Sequence, residues 1–301
     1  GVRTFESACH ALVLTALLGL AIGLVQVFVP SLPGKLGDGA VIAATTYVGR
    51  AVGNLRQPNH LNTLLMWGCV AAVWLASQGS LRRWAAVALM TAFVFAMVLT
   101  ASRTAYLGIA AMVLWGVLDR DLPRPLRRAL WALPLMYAAG WALMAALAHF
   151  GVVSFGAEAR LHDGSDISSS RFKIWADTLA LIRMAPWLGV GFGEFNFAWS
   201  LTPFPQRPIA FFDHTHNLEL QLAVELGLPL ATLVIGLLGL GLWSLVRNAL
   251  ADPERPDDAT RQAAIGRSGA RAALVMVLLV GIHSQLEYPL WYAYFLLPTA
   301  W

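Results

Sequence analysis

Charged side chains are scarce in this chain: Asp, Glu, Lys and Arg make up 13% of its 301 residues, against 58% hydrophobic residues. A soluble domain carries about 25% charged residues, so lipid rather than water has to solvate much of this surface. Lysine is almost missing, the net charge is only +4, and no arginine run is dense enough to predict a nucleic-acid surface. The composition therefore predicts an all-α polytopic integral membrane protein.

Cysteines, nucleotide-binding loops and internal repeats are also rare or missing. The two cysteines, Cys9 and Cys69, lie in apolar runs, so neither a disulfide framework nor a metal knuckle is predicted. Residues 186–194 contain closely spaced glycines, but the strand that precedes a dinucleotide loop is missing. These glycines predict a tight turn or a close approach of the backbone to a ligand. Since the sequence has no Walker-type loop and no acidic ligand set, we expect no cofactor and no metal.

Seven apolar runs are candidates for transmembrane or re-entrant helices, since about 20 apolar residues cross a bilayer. They are residues 8–29, 60–77, 84–100, 104–118, 129–150, 218–246 and 271–297. The third and fourth runs are short and meet at a turn around Arg103, so we expect a hairpin there that need not cross the membrane. Residues 247–270 are polar and are predicted to be a solvated linker.

The arginines predict which loops face the cytoplasm. They are concentrated in residues 119–128 and 247–271, which the positive-inside rule assigns to the cytoplasm. Residues 30–59, the Arg103 turn and residues 151–217 then face outward. We expect one membrane domain, residues 1–301, with 151–217 as a large external loop that contains short amphipathic helices. Because the chain begins without Met and ends on an apolar run, we also expect it to be a fragment that lacks membrane helices.

His216 stands where the external loop meets the run at 218–246. The positive end of a helix dipole favours the neutral imidazole that a general base needs. Glu219, one turn further on, is predicted to orient the ring, with Asn217 in support and His214 as the neighbouring candidate. A solvent-facing or N-capping histidine is the alternative interpretation. In the last run, His283 and Glu287 are predicted to share a helix face and to hold neighbouring helices together.

Two arginines are candidate phosphate ligands. Arg171 opens a segment whose apolar side chains recur at helical spacing, which predicts a helix lying along the external membrane surface. The apolar stripe consists of Phe172, Trp175, Leu179 and Ile182. Arg171 and Thr178 would face away from the stripe, and the guanidinium could grip a phosphate or extend to lipid headgroups. Arg103 is a single charge in an apolar stretch, where charges usually serve a function.

Four stretches, in order along the chain, resemble the bacterial O-antigen ligase superfamily. One is His216-Asn217 followed, after nine residues, by Gly227. The others are residues 53–59, 186–193 and 283–292, which are similar to the protein O-oligosaccharyltransferases, or pilin glycosylation ligases. Leu230 departs from the pattern, because the family usually has a small or aromatic residue at that position.

This resemblance implies transfer of a preassembled glycan from undecaprenyl pyrophosphate to a Ser or Thr hydroxyl of a periplasmic or pilin-like protein. The reaction would take place at the periplasmic face of the bacterial inner membrane. His216 would be the general base, and Arg103 and Arg171 would stabilise the departing pyrophosphate. Gln57 and Tyr288 would position the donor or the acceptor.

Two other functions are alternatives. An O-antigen ligase that loads lipid A core, or an O-antigen polymerase, would use the same machinery with a different acceptor. A transporter or flippase would keep its polar residues near the bilayer midplane, often in repeated halves. Because the polar residues collect in an external loop and no repeat is visible, the sequence favours an enzyme.

Overall fold

The computed structural model describes residues 2–35, 37, 40–158, 167–205, 212–250 and 259–300, with the backbone alone at 167–170 and 259–264. Throughout these ranges the regular elements are helical, which confirms the all-α class. The chain divides into two compact units. Unit 1 comprises Gly1–His162 and Asn248–Leu279, and unit 2 comprises Asp163–Arg247 and Val280–Trp301.

Unit 1 is a bundle of helices around α3. Its helices are α1 (Val2–Phe28), α2 (Leu32–Lys35), α3 (Pro58–Gln78), α4 (Arg83–Thr100), α5 (Thr104–Leu118), α6 (Arg124–Trp131), α7 (Leu133–His149) and most of α11 (Ala259–Ser284). Helix α3 packs against α1, α4 and α5 and is buried along nearly its whole length. This burial allows α3 to carry polar side chains, because they face other helices rather than lipid.

Unit 2 is built around a small aromatic core. Its elements are α8 (Ile167–Met184), α9 (Phe195–Leu201), α10 (Leu218–Leu250, up to Arg247), the end of α11, a 3-10 turn (Pro289–Trp291) and α12 (Ala293–Ala300). The core consists of Ile174, Leu181, Ile182, Phe195, Trp199 and Val224. Helix α10 is broken at Gly227, whose φ of 75° and ψ of 165° are not helical.

The membrane spans agree with most of the apolar runs. Within the described residues, five helical segments are long and apolar enough to cross a membrane: α1, α3, α4, α10 and the Ile265–Ser284 part of α11. Helices α6 and α7 together form a sixth candidate, bent by 46°. Helix α5 has only 15 residues and is the short arm of the predicted hairpin. The chain is thus a multi-pass membrane protein.

Two boundaries predicted at the C-terminal side were wrong. The last run, 271–297, is not one helix, because α11 ends at Ser284 and Pro289 starts a 3-10 turn. Glu287 and Tyr288 therefore lie in the connection after α11, not on its face. The predicted linker at 247–270 is helical from Ala259 onward, and residues 251–258 of it lie outside the described residues.

Helix α8 forms as predicted, but its packed face is different. Thr178 is fully buried, and its hydroxyl donates to the carbonyl of Ile174, so it does not face away from the packed side. Ile182 belongs to the protein core, whereas Phe172 and Leu179 are exposed. The predicted stripe is thus divided between the core of unit 2 and its outer surface.

Candidate active site

The backbone of His216 has an unusual conformation. Its φ of 57° lies in the left-handed region, which non-glycine residues seldom occupy. The hydroxyl of Thr215 bridges this residue, donating to the carbonyl oxygen of Asn217 (2.8 Å) and accepting from the Asn217 amide (3.3 Å). The two neighbours of His216 are thus bonded to each other, and this closed turn fixes the backbone of His216.

Asn217 caps helix α10. Its Oδ1 accepts from the amide of Leu220 at 2.9 Å, as a side chain at the N-cap position does. Its Nδ2 donates to Oε1 of Gln285 (3.1 Å), and Nε2 of Gln285 donates to Oε1 of Glu219 (2.8 Å). His216 is therefore not the capping residue. Glu219 was expected to orient the imidazole, and that expectation was wrong, because its carboxylate is bonded to Gln285.

Glu287 is the residue that orients His216. Its Oε2 lies 2.8 Å from Nδ1 of His216, and its Oε1 lies 3.1 Å from Nη2 of Arg171. The side chains of Glu287 and His216 are only 10% and 16% exposed. One buried carboxylate thus joins the predicted base to one of the predicted arginines, all within unit 2.

The electrostatics of the cluster keep this carboxylate ionised. Burial acts to raise the pKa of Glu287, but the hydrogen bond from His216 and the charges of His216, Arg171 and His283 outweigh it and hold the pKa below its ordinary value. An ionised carboxylate can only accept hydrogen bonds, so Nδ1 of His216 carries the proton. Nε2 makes no hydrogen bond to any described residue.

Buried hydrogen bonds anchor Thr215 on both sides. Its amide donates to Oε1 of Gln221 at 2.7 Å, and Nε2 of Gln221 donates to Oε1 of Glu225 at 2.8 Å. Its carbonyl accepts from the indole of Trp175 on α8 at 3.0 Å. Because Thr215, Gln221 and Glu225 are buried, these bonds are shielded from competing water.

His214 is packed in an aromatic cluster. Its ring stacks on Tyr288 with centroids 3.9 Å apart, and the edge of Trp291 approaches at 5.5 Å. Burial, reinforced by the nearby His216, lowers the pKa of His214, so this imidazole is neutral at neutral pH. Of the two histidines, His216 is the one with a carboxylate partner, which makes it the stronger candidate for a base.

Tyr288 lies beside the imidazole of His216, with ring centroids 5.4 Å apart. Burial, together with the neighbouring Tyr292 and Glu287, raises the pKa of Tyr288. Its phenol therefore stays protonated at neutral pH and remains a potential hydrogen-bond donor.

The closely spaced glycines make a tight turn against α10. The amide of Val190 donates to the carbonyl of Val224, and the amide of Leu228 donates to the carbonyl of Pro186, both at 2.8 Å. A Cβ on Gly227 would lie 2.3 Å from the carbonyl oxygen of Trp187. The close approach allowed by this glycine is therefore to the protein's own backbone.

Gln57 and Arg103 lie in unit 1. Oε1 of Gln57 caps α3 by accepting from the amide of His60 at 2.9 Å, and Pro58 occupies the first helical position. Arg103 is exposed at the N-cap of α5 and borders a cavity of about 260 Å³. The other residues lining it are Ala101, Ser102, Tyr106, Tyr137, Trp141 and Ala157.

Three known families match segments of the chain. The family described as O-Antigen ligase matches residues 85–235, half of the chain. The family described as Protein glycosylation ligase matches residues 51–76, and Virulence factor membrane-bound polymerase, C-terminal, matches residues 271–301. These segments contain Gln57, Arg103, Arg171, His216 and Glu287.

Two curated proteins of Acinetobacter baylyi are similar along most of the chain. The General O-oligosaccharyltransferase is 29% identical over 263 residues, which cover 84% of this chain and 43% of that protein. The ComP-specific O-oligosaccharyltransferase is 27% identical over 263 residues, which cover 85% of this chain and 44% of that protein. The chain spans less than half the length of either relative.

Proposed function

The chain belongs to the O-antigen ligase family, and on that premise we propose that it is a glycosyltransferase acting on a lipid-linked donor. It moves a preassembled glycan from undecaprenyl pyrophosphate to a Ser or Thr hydroxyl of a periplasmic protein. The main support is the buried pairing of His216 with Glu287, because it leaves a basic nitrogen at the site. Such a pair suits a reaction that removes one proton from a hydroxyl.

The reaction is a single displacement at the anomeric carbon of the first sugar. The acceptor hydroxyl oxygen forms the new bond to this carbon while the bond to the pyrophosphate oxygen breaks, and the electron pair leaves with the pyrophosphate. The hydroxyl proton passes to Nε2 of His216. Glu287 holds the imidazole by Nδ1 and stabilises the imidazolium that forms, as the carboxylate of a catalytic triad does.

The arginines offset the negative charge of the leaving group. Nη2 of Arg171 is bonded to Glu287, so this guanidinium offers a phosphate its remaining N–H groups rather than its whole fork. Arg103 is the second proposed pyrophosphate ligand, supported by its position on a cavity lined partly by aromatic rings. Tyr288 and the remaining amide of Gln57 are proposed to hydrogen-bond donor or acceptor.

The acceptor is proposed to be a protein. The match of residues 51–76 to a protein glycosylation ligase and the names of the two curated relatives support this choice. The matches to an O-antigen ligase and to a polymerase favour lipid A core or a growing glycan as the alternative acceptor. The arginines concentrated in residues 119–128 and 247–271, which the positive-inside rule assigns to the cytoplasm, support a bacterial inner-membrane location with the site on the periplasmic face.

Glycan transfer by the full-length protein in membranes tests this proposal. Donor lipid would be supplied with a pilin-like protein or with lipid A core, and the products would be identified by mass spectrometry. We expect the glycan on Ser or Thr of the protein, and none when His216 is replaced by Ala. Glycan on lipid A core alone would select the alternative, and no covalent product with either acceptor would refute glycosyl transfer.

A further inference from the structure

A turn of unit 2 presents four large apolar side chains to the outside. Met184, Trp187, Leu188 and Phe192 are between 70% and 85% exposed. We call this group the apolar turn. Single exposed apolar residues are ordinary, but a contiguous set of large ones usually marks a surface that water does not cover.

Hydrogen bonds hold the apolar turn against α10, next to the break in that helix. The bonds of Pro186 to Leu228 and of Val190 to Val224 clamp it beside the break at Gly227. Before this break, the large apolar side chains of α10 are buried or half-buried. From Leu228 onward, most of them are exposed.

The length of α10 fits a membrane boundary at the break. Residues 228–250 span about 34 Å at 1.5 Å per residue, enough for a hydrocarbon core of about 30 Å. Leu228, Leu230 and Leu233 are exposed along this part, as expected for side chains solvated by lipid. The apolar turn therefore continues a lipid-facing surface at the point where the helix enters it.

We propose that the apolar turn is embedded in the lipid of the leaflet that α10 enters at Leu228. Its partner is the acyl and interfacial region of the bilayer, not another protein. Trp187 suits this depth, because an indole prefers the boundary between acyl chains and headgroups.

The depth of the apolar turn in the leaflet also sets the distance of His216 from the membrane. This extension rests on the proposed function. The amide of Gly191 donates to the carbonyl of Glu225 at 3.1 Å. The side chain of Glu225 is bonded to Gln221, which accepts from the amide of Thr215, next to His216. A chain of hydrogen bonds thus joins the apolar turn to the proposed base, His216. The base would then face the pyrophosphate of a donor held in the same leaflet.

A fluorescent probe tests whether the apolar turn lies in lipid, without using catalysis. The full-length protein carrying Leu188→Cys, labelled with an environment-sensitive dye, is placed in nanodiscs with brominated phosphatidylcholine. Asp213→Cys is the matched control, since its side chain is exposed in the same unit but is charged. Cys9 and Cys69 are buried, so the unsubstituted protein gives the labelling background.

We expect brominated lipid to remove at least half of the emission at position 188 and little at 213, with iodide in the buffer giving the reverse. Quenching by iodide alone at position 188 would overturn the proposal. Shielding from both quenchers would also overturn it, because a protein would then cover the turn. The result is independent of glycan transfer. A failed transfer assay with lipid quenching intact would therefore reject the proposed function but not the position of the apolar turn in the membrane.

Discussion

Glu287→Gln is the substitution that most directly tests how His216 is activated. It removes the negative charge and keeps the size of the side chain. Hydrogen bonds to charged groups contribute about 1.5–3 kcal/mol, so losing this one from the transition state lowers kcat by about 10- to 150-fold. The loss is larger if the amide donates to Nδ1, because the proton then sits on Nε2 and the base is lost. The corresponding change in the serine protease triad, an example from another protein, costs about 10⁴-fold.

The assay is steady-state glycan transfer, with kcat and the donor KM measured separately. Glu194→Gln is the control, because it removes an exposed carboxylate of unit 2 outside the cluster. We expect a large fall in kcat for Glu287→Gln, a small change in its donor KM and wild-type kinetics for the control. If Glu287→Gln kept wild-type kcat while the protein remained folded, the role assigned to the carboxylate would be refuted.

Acidification gives the same substitution a second readout. Because the pKa of Glu287 in the folded protein is lowered, its stabilising contribution is present above the unfolded carboxyl pKa of about 4.3 and is lost as pH falls through the folded value. The stability difference between wild type and Glu287→Gln should therefore be constant at neutral pH and shrink below about pH 4. Detergent-phase unfolding followed by fluorescence measures it, and a difference that instead vanished between pH 6 and 8 would contradict the assignment.

Three further changes have defined outcomes. His216→Ala should abolish transfer while membrane insertion and donor binding persist, measured by filter binding of labelled donor, and residual transfer at the wild-type rate would remove it as the base. Arg171→Lys and Arg103→Lys should each lower kcat, since an ammonium cannot replace the several fixed N–H donors of a guanidinium, and unchanged turnover would give them structural roles. Gly227→Ala should destabilise the protein by at least about 1–2 kcal/mol, from its positive φ and the contact with the Trp187 carbonyl. Gly236→Ala, with open space around it, should be neutral, and equal thermal stability of the two would contradict the tight turn.

The helices could be predicted from the sequence because lipid imposes a simple rule. A run of apolar residues long enough to cross the bilayer has to be helical, since every backbone polar group needs a partner inside the segment. The runs at 60–77 and 84–100 therefore match α3 and α4 within a few residues. The rule failed at the last run, because Pro289 and the polar residues before it end the helix although hydropathy stays high.

The partner of His216 could not be predicted from the sequence. Glu219 is close in sequence, whereas Glu287 lies 71 residues away and reaches the ring only because the connection after α11 lies beside the start of α10. The side chain of Gln57 likewise has a local role, the cap of α3, that spacing alone did not indicate. Local patterns identify residues that suit a chemistry, but the pairing of a base with its carboxylate depends on tertiary contacts.

The charges of the site explain why an arginine accompanies the carboxylate. The carboxylate of Glu287 and the guanidinium of Arg171 form an ion pair beside His216, so each offsets the charge of the other. In the proposed mechanism, the cluster gains one positive charge when Nε2 takes the acceptor proton, just as negative charge grows on the departing pyrophosphate. A charge that appears only as the reaction proceeds stabilises the transition state more than the bound substrate, which is the condition for raising kcat. Without Arg171, the negative charge of Glu287 would lack this partner, and the proposed proton transfer would only neutralise that charge.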